Sequence, residues 1–412
     1  MLLNRRPLIL AGLAVAAVSG CSVESKVEFL TGTAAYMAQN PDNPLARAAA
    51  TASQQIGWRL LVQGNRTKNQ LLSPASLCAA LALVGLGASG ASATDLDELF
   101  GMNSEDRAVG ISALRAGLAD YASLPESIDA KNPPEKPIIN LASRLLLCSD
   151  AQPTSPFLDA IRKHFDASVE KVKKSDAQAI LDDWAKKNTA GLIEKSGIQV
   201  DQGTALAVQD ALLFASRWEM QFTSDGTPLT FTTGGEETVE IKALSDSFSA
   251  RAASGQGWQA VRLPYDDILA MDVILPDRGI HPLSWDAHVL QEVDEKLGLA
   301  AKDKVDVTMP PVDLTVKHNL EEEFAQVGVN FNHLDGIFDG ATADQVVHQV
   351  RLQVNAKGTV GAALTEFGPD GSAPMNLPPT KFVVDRPYVI RVLDVRKGWP
   401  LFLAVVSNPK EQ

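Results

Sequence analysis

Val346 to Tyr388 reads VVHQVRLQVNAKGTVGAALTEFGPDGSAPMNLPPTKFVVDRPY, and this stretch carries most of what the chain says about itself. Val346, Val350, Leu352 and Val354 alternate with Val347, Gln349, Arg351 and Gln353, the period-two pattern of a half-buried strand with His348 on its mostly apolar face. Gly358, Thr359, Gly361, Ala362 and Ala363 follow, side chains small enough to let backbone enter a crowded space. A Pro/Gly-rich loop comes next, and then a second strand. A segment built this way can become a new strand inside an existing sheet.

The stretch from Asn355 to Thr365, followed by Phe382, Asp385, Arg386 and Pro387, resembles the reactive-centre loop and flanking strand of a serpin. The likeness extends along the chain in order. Leu71 to Ser76 lead into the Ala/Leu-rich run Cys78 to Leu86, similar to the family's strand-to-helix entry beneath its main sheet. Asp182, Asp183 and Trp184, with Thr189 and Gly191, resemble the helix lying across that sheet. Asp210 to Phe214 and then Trp218 resemble the strand that a tryptophan closes, and Leu263 to Tyr265, Val273 to Pro276, Val305 to Pro310 and Leu401 to Pro409 match further segments. The resemblance implies an α+β serpin fold with three β-sheets, eight or nine helices and an exposed reactive-centre loop. That domain spans 45–412, with the loop at about 356–380.

What the family likeness implies for function is inhibition of serine proteases by insertion of the loop into the main sheet. The protease attacks the loop with its own serine and forms an acyl-enzyme, so the inhibitor is not an enzyme and supplies no catalytic residue. The implied partner is thus a serine protease held covalently. The loop hinge falls on Gly358, Thr359, Gly361, Ala362 and Ala363, and Trp218 marks the breach at the top of the sheet. Ser73, Ser76 and His348 match the shutter cluster, whose fourth member, normally asparagine, is here Asp210. A carboxylate beside that imidazole would favour a charged histidine and pH-sensitive opening, or Asp210 is a tolerated substitute. Ala356 and Val360 stand where the family usually has glutamates, which keeps open a non-inhibitory serpin-fold lipoprotein acting as a binding module. Ser372-Ala373 is the first choice of scissile bond and Met375-Asn376 the second. No Arg or Lys lies between Gly358 and Thr380, so an elastase-, subtilisin- or chymotrypsin-like protease fits better than a trypsin-like one.

Composition sets outer bounds. With 412 residues, 45% of them hydrophobic, the chain can bury a large core. Its net charge of -13 opposes phosphate binding, so neither nucleic acid nor a heparin-like cofactor is expected, and a monomer is. Gly87-Ala88-Ser89-Gly90-Ala91 misses the hydrolase elbow at its last position, and there is no HExxH or P-loop. Arg5 and Arg6 precede an apolar run from Leu8 to Val18, which is too short to span a bilayer and shaped like a secretory signal. Its end, Val18-Ser19-Gly20-Cys21, resembles a bacterial lipobox. On that reading 1–20 is a lipoprotein signal peptide, Cys21 takes a diacylglycerol, and 21–44 is a lipid-anchored spacer. An exported protein follows, anchored to a bacterial membrane, outer membrane or cell surface, and facing periplasm or exterior. Cys78 and Cys148 are expected as buried free thiols, and no metal site or cofactor is expected.

Overall fold

A computed structural model describes residues 27–123, 133–343, 345–359 and 380–411. The chain enters as β1 (Glu28–Leu30) and reaches α1 (Pro44–Leu61), which starts where the Asn43 side chain accepts the Leu45 N–H and proline occupies the first turn. A short β2 (Gln70–Leu72) leads into α2 (Pro74–Gly85), apolar on all sides and correspondingly buried. Next come α3 (Gly90–Phe100), closed by left-handed Gly101, and α4 (Ser104–Gly117), capped by Asn103. They are followed by β3 (Ile138–Leu147), α5 (Ser155–Phe165), β4 (Val169–Lys171), α6 (Lys174–Asn188) and β5 (Leu206–Arg217). The middle of the chain is antiparallel: β6 (Ser224–Thr232), β7 (Thr238–Gly255), β8 (Trp258–Pro264) and β9 (Leu269–Pro276). Then α7 (His288–Leu299), β10 (Lys302–Met309), β11 (Val312–Asn319) and α8 (Glu321–Gln326) precede β12 (Val347–Asn355) and β13 (Gly358–Thr359). The chain finishes with β14 (Thr380–Val383), β15 (Tyr388–Asp394) and β16 (Trp399–Val406).

Hydrogen bonding orders one sheet as β1-β4-β3-β5-β13-β12-β11. Strands β14, β10, β7, β8, β9, β15, β16 and β2 form the other, with β6 also on β7. The described residues therefore hold eight α-helices, within the expected range, while the expected second and third sheets are joined. The reason is β7, which spans 18 residues and pairs in succession with β6, β10 and β8. Helix α2 packs on the inner face of β5, and α6 lies on the opposite face, where Gln209 of β5 donates to the Leu181 carbonyl. The core under α1 also buries charge. Arg391 and Asp272 are both solvent-inaccessible and paired at 2.7 Å, with Arg262 on the other oxygen of Asp272 at 2.6 Å.

Part of the stretch read as a spacer is packed rather than free. β1 adds to the edge of β4, Glu28 opposite Lys171 and Leu30 opposite Val169. Thr33 and Ala34 then donate backbone N–H groups to the Asp159 carboxylate at 2.6 and 3.0 Å. Cys21 and the signal segment lie outside the described residues. Cys78 and Cys148 are buried and unbridged, as expected, and burial pushes the Cys78 thiol up to about 12.

Candidate functional site

Strands β5 and β12 run in the same direction with β13 between them, antiparallel to both. Asn355 to Thr359 form a tight hairpin in which Gly358 pairs with Asn355 on one side and Arg217 on the other, while Thr359 pairs with Val354 and Ser216. Only glycine fits here. A Cβ on residue 358 would lie 2.2 Å from the Ser216 carbonyl oxygen, a backbone atom that cannot step aside. Thr359 is fully buried, and its hydroxyl shares a short hydrogen bond with the Tyr265 phenol.

Aromatic side chains close this end of the sheet. Trp218 stacks on Tyr265 with centroids 4.7 Å apart, and Phe222 packs edge-on against Phe248. The Trp218 indole donates to the Asn355 carbonyl at 2.9 Å, and the backbone N–H groups of Trp218 and Phe222 donate to the carbonyls of Lys357 and Ala356. The hairpin is thus held from both sides. Gly361, Ala362 and Ala363, and the scissile candidates Ser372, Ala373, Met375 and Asn376, lie outside the described residues.

Farther down the sheet, no pairing joins β5 to β12 among the described residues. The slot opens on a cavity of about 300 Å³ on the α2 side and a smaller one of about 90 Å³ beside Trp184 of α6. Ser73, Ser76, Asp210 and His348 all border this region. Ser73 caps α2, giving its hydroxyl proton to the Leu401 carbonyl at 2.7 Å and accepting the Ser76 N–H. The Ser73 backbone N–H donates to His348 Nε2 at 3.0 Å. That bond requires a neutral imidazole. Burial, with His318 directly across the strand pair, pushes the His348 pKa down to about 3.

Pairing of Asp210 with a charged His348 is therefore corrected. Asp210 instead accepts the Ser143 hydroxyl at 2.5 Å, and Arg115 of α4 donates to that same hydroxyl at 2.9 Å. Burial outweighs the opposing pull of Arg115 and raises the Asp210 carboxyl to about 6. The group titrating near neutrality is the carboxyl, and the imidazole does not share its proton. Sequence reasoning missed Ser143 and Arg115, which reach Asp210 only through strand register, and His318, which pairs opposite His348. Tyr265 was visible as part of a segment but not as the partner of Thr359.

Among the described residues, β13 fills only the head of the position between β5 and β12. A family model described as Serpin (serine protease inhibitor) matches residues 52–409, and the chain belongs to that family. Human neuroserpin (Homo sapiens) is 24% identical over 386 residues, covering 88% of this chain and 91% of the relative. The leukocyte elastase inhibitor of Homo sapiens is 25% identical over 381 residues, covering 85% and 95%. Among solved structures, the thermophilic serpin tengpin in its native state superposes with a TM-score of 0.77 at 16% identity, covering 91% of this chain and 97% of that one. Human thyroxine-binding globulin complexed with thyroxine gives 0.73 at 17% identity, covering 89% and 100%.

Proposed function

We propose that this chain is a suicide inhibitor of serine proteases, trapping the acyl-enzyme by drawing its cleaved loop into the slot between β5 and β12. The observation that carries the reading is the hairpin at Gly358 and Thr359, paired on both sides at the head of a slot that is otherwise unpaired among the described residues. After cleavage, each further pair of residues would add ladder hydrogen bonds worth about 0.5–1.5 kcal/mol apiece, together with side-chain burial in the cavity. The absence of Arg and Lys between Gly358 and Thr380 favours elastase-, subtilisin- or chymotrypsin-like targets cut at Ser372-Ala373 or Met375-Asn376. The lipobox-like Val18 to Cys21 supports an exported, lipid-anchored protein guarding a bacterial envelope.

A binding module without inhibitory activity is the second reading. It is favoured by Ala356 and Val360 in place of acidic residues, and thyroxine-binding globulin shows that this fold can hold a small ligand. Incubation with elastase-, subtilisin- and chymotrypsin-like proteases, followed by a denaturing gel, separates the two. Inhibition gives a boil-stable band at the summed mass of both proteins. Clean loop cleavage without that band across the panel selects the binding module.

A further inference from the structure

The cavity of about 300 Å³ carries a feature that reserving space for a strand does not require. Part of its wall is apolar, with Leu77, Leu81 and Val84 of α2 and Phe331, Leu334 and Phe338. Its described lining contains two carboxylates, Asp201 and Asp210, and no lysine or arginine. Asp201 is exposed and satisfied by Thr204. Asp210 is different: Ser143 engages Oδ2, while Oδ1 is shielded from solvent and closes no hydrogen bond of ordinary geometry, with only the Ser76 hydroxyl facing the carboxylate. Native folds seldom leave a buried carboxylate oxygen without a donor, because nothing offsets its desolvation.

We propose that this cavity binds small hydrophobic amines, the apolar body lying against α2 and Phe338 and the ammonium donating to Asp210. Size agrees, since a cavity of about 150 Å³ holds one benzene ring and this one has room for roughly two rings or a medium alkyl chain. Charge selects the class. A fatty carboxylate would meet two like charges, and a neutral alcohol would bring the ionised Asp210 a hydrogen bond but no charge.

The groups facing Asp210 are Arg115 of α4 through Ser143 of β3, Ser76 of α2, and His348 of β12 with His318 behind it on β11. His348 stays neutral in the working range, so the carboxyl itself, raised to about 6, governs the pH response. An occupant would lie between the walls that an inserting strand must use. It would therefore shift protease encounters from trapping to plain cleavage, a consequence that rests on the inhibitory reading.

The test is calorimetric titration of the full chain with octylamine and 4-phenylbutylamine, using 1-octanol and octanoate as comparators. At about pH 8 the amines should bind at least tenfold more tightly than the alcohol. That preference should vanish at about pH 5, where the carboxyl is protonated. Asp210→Asn, nearly isosteric, should erase the preference and keep alcohol binding, and Ala80→Phe, which fills the cavity, should remove both. Equal affinity for amine and alcohol, a preference that survives Asp210→Asn, or no binding of any compound overturns the proposal. Calorimetry needs no protease, so failure of the inhibitory reading on the gel would leave this result standing, and the reverse also holds.

Discussion

Replacing Asp210 with asparagine should stabilise the native protein at neutral pH and slightly destabilise it in acid, where the carboxyl is already neutral and only the mismatch of the amide remains. The carboxyl moves from 3.8 in the unfolded chain to about 6 in the native sheet, and burial is the largest cause. A shift of about 2 units corresponds to about 3 kcal/mol lost on ionising the group inside the fold. Part of that will not be recovered, because an asparagine amide in the same place brings two N–H donors to a site with few acceptors. A net gain of about 1–2 kcal/mol is expected. The sign follows from proton binding. Between the unfolded and native values the native state holds the proton more tightly, so the contribution of Asp210 is intact below about pH 4 and is lost as pH rises through about 6. His348 works in the opposite sense, since its depressed value makes acid unfavourable to the native state, which is why the two proteins must be compared at each pH. Urea unfolding followed by tryptophan fluorescence at intervals from about pH 4.5 to 7.5 measures the gap. It should open as pH rises and level off above about pH 7. A gap of constant size, or a variant less stable than the parent at neutral pH, would refute the reasoning that burial dominates at Asp210.

Other residues give further expectations. Gly358→Ala places a methyl against the Ser216 carbonyl and should expel the hinge hairpin, costing about 1–3 kcal/mol in thermal unfolding and raising amide exchange at residues 354–359. Thr359→Arg must bring a charge into a fully buried position, so the hinge should leave the sheet and the denaturing gel should show cleaved chain in place of trapped complex. If the variant traps protease with unchanged stoichiometry, strand insertion is not the mechanism. Asp272→Asn leaves Arg391 and Arg262 sharing Asp294 as their remaining carboxylate and should destabilise the fold by about 2–4 kcal/mol, read as a drop in the denaturant midpoint at unchanged slope.

Much of the architecture could be read from the chain because it is written in local patterns. The alternation around His348 placed His348, Val350, Leu352 and Val354 on a buried face, as found in β12. Leu71 to Ser76 and the Ala/Leu-rich run after them, matched to the family's strand-to-helix entry, form β2 and α2. The small residues at Gly358 and Thr359 signalled a backbone that must enter a tight space, and the ordered set of segments gave the family and its fold.

Contacts across the sheet could not be read in this way. Ser143 and Asp210 are 67 residues apart and meet only because β3 and β5 pair in one register. The same holds for His318 opposite His348, for Tyr265 against Thr359, and for β1 on the edge of β4. A strand's own pattern records which face is buried, not which side chain another strand will bring beside it. The electrostatics follow that limit. From sequence, Asp210 was a carboxylate near a histidine, which left open a charged imidazole or a tolerated substitute. Only the tertiary structure supplied the depth of burial, the Ser143 hydroxyl and the backbone N–H that holds His348 neutral. A pKa depends on desolvation and on every neighbouring group at once, and those are set by how distant segments pack, whereas the period-two pattern and the glycine at the hinge follow from the backbone of the segment itself.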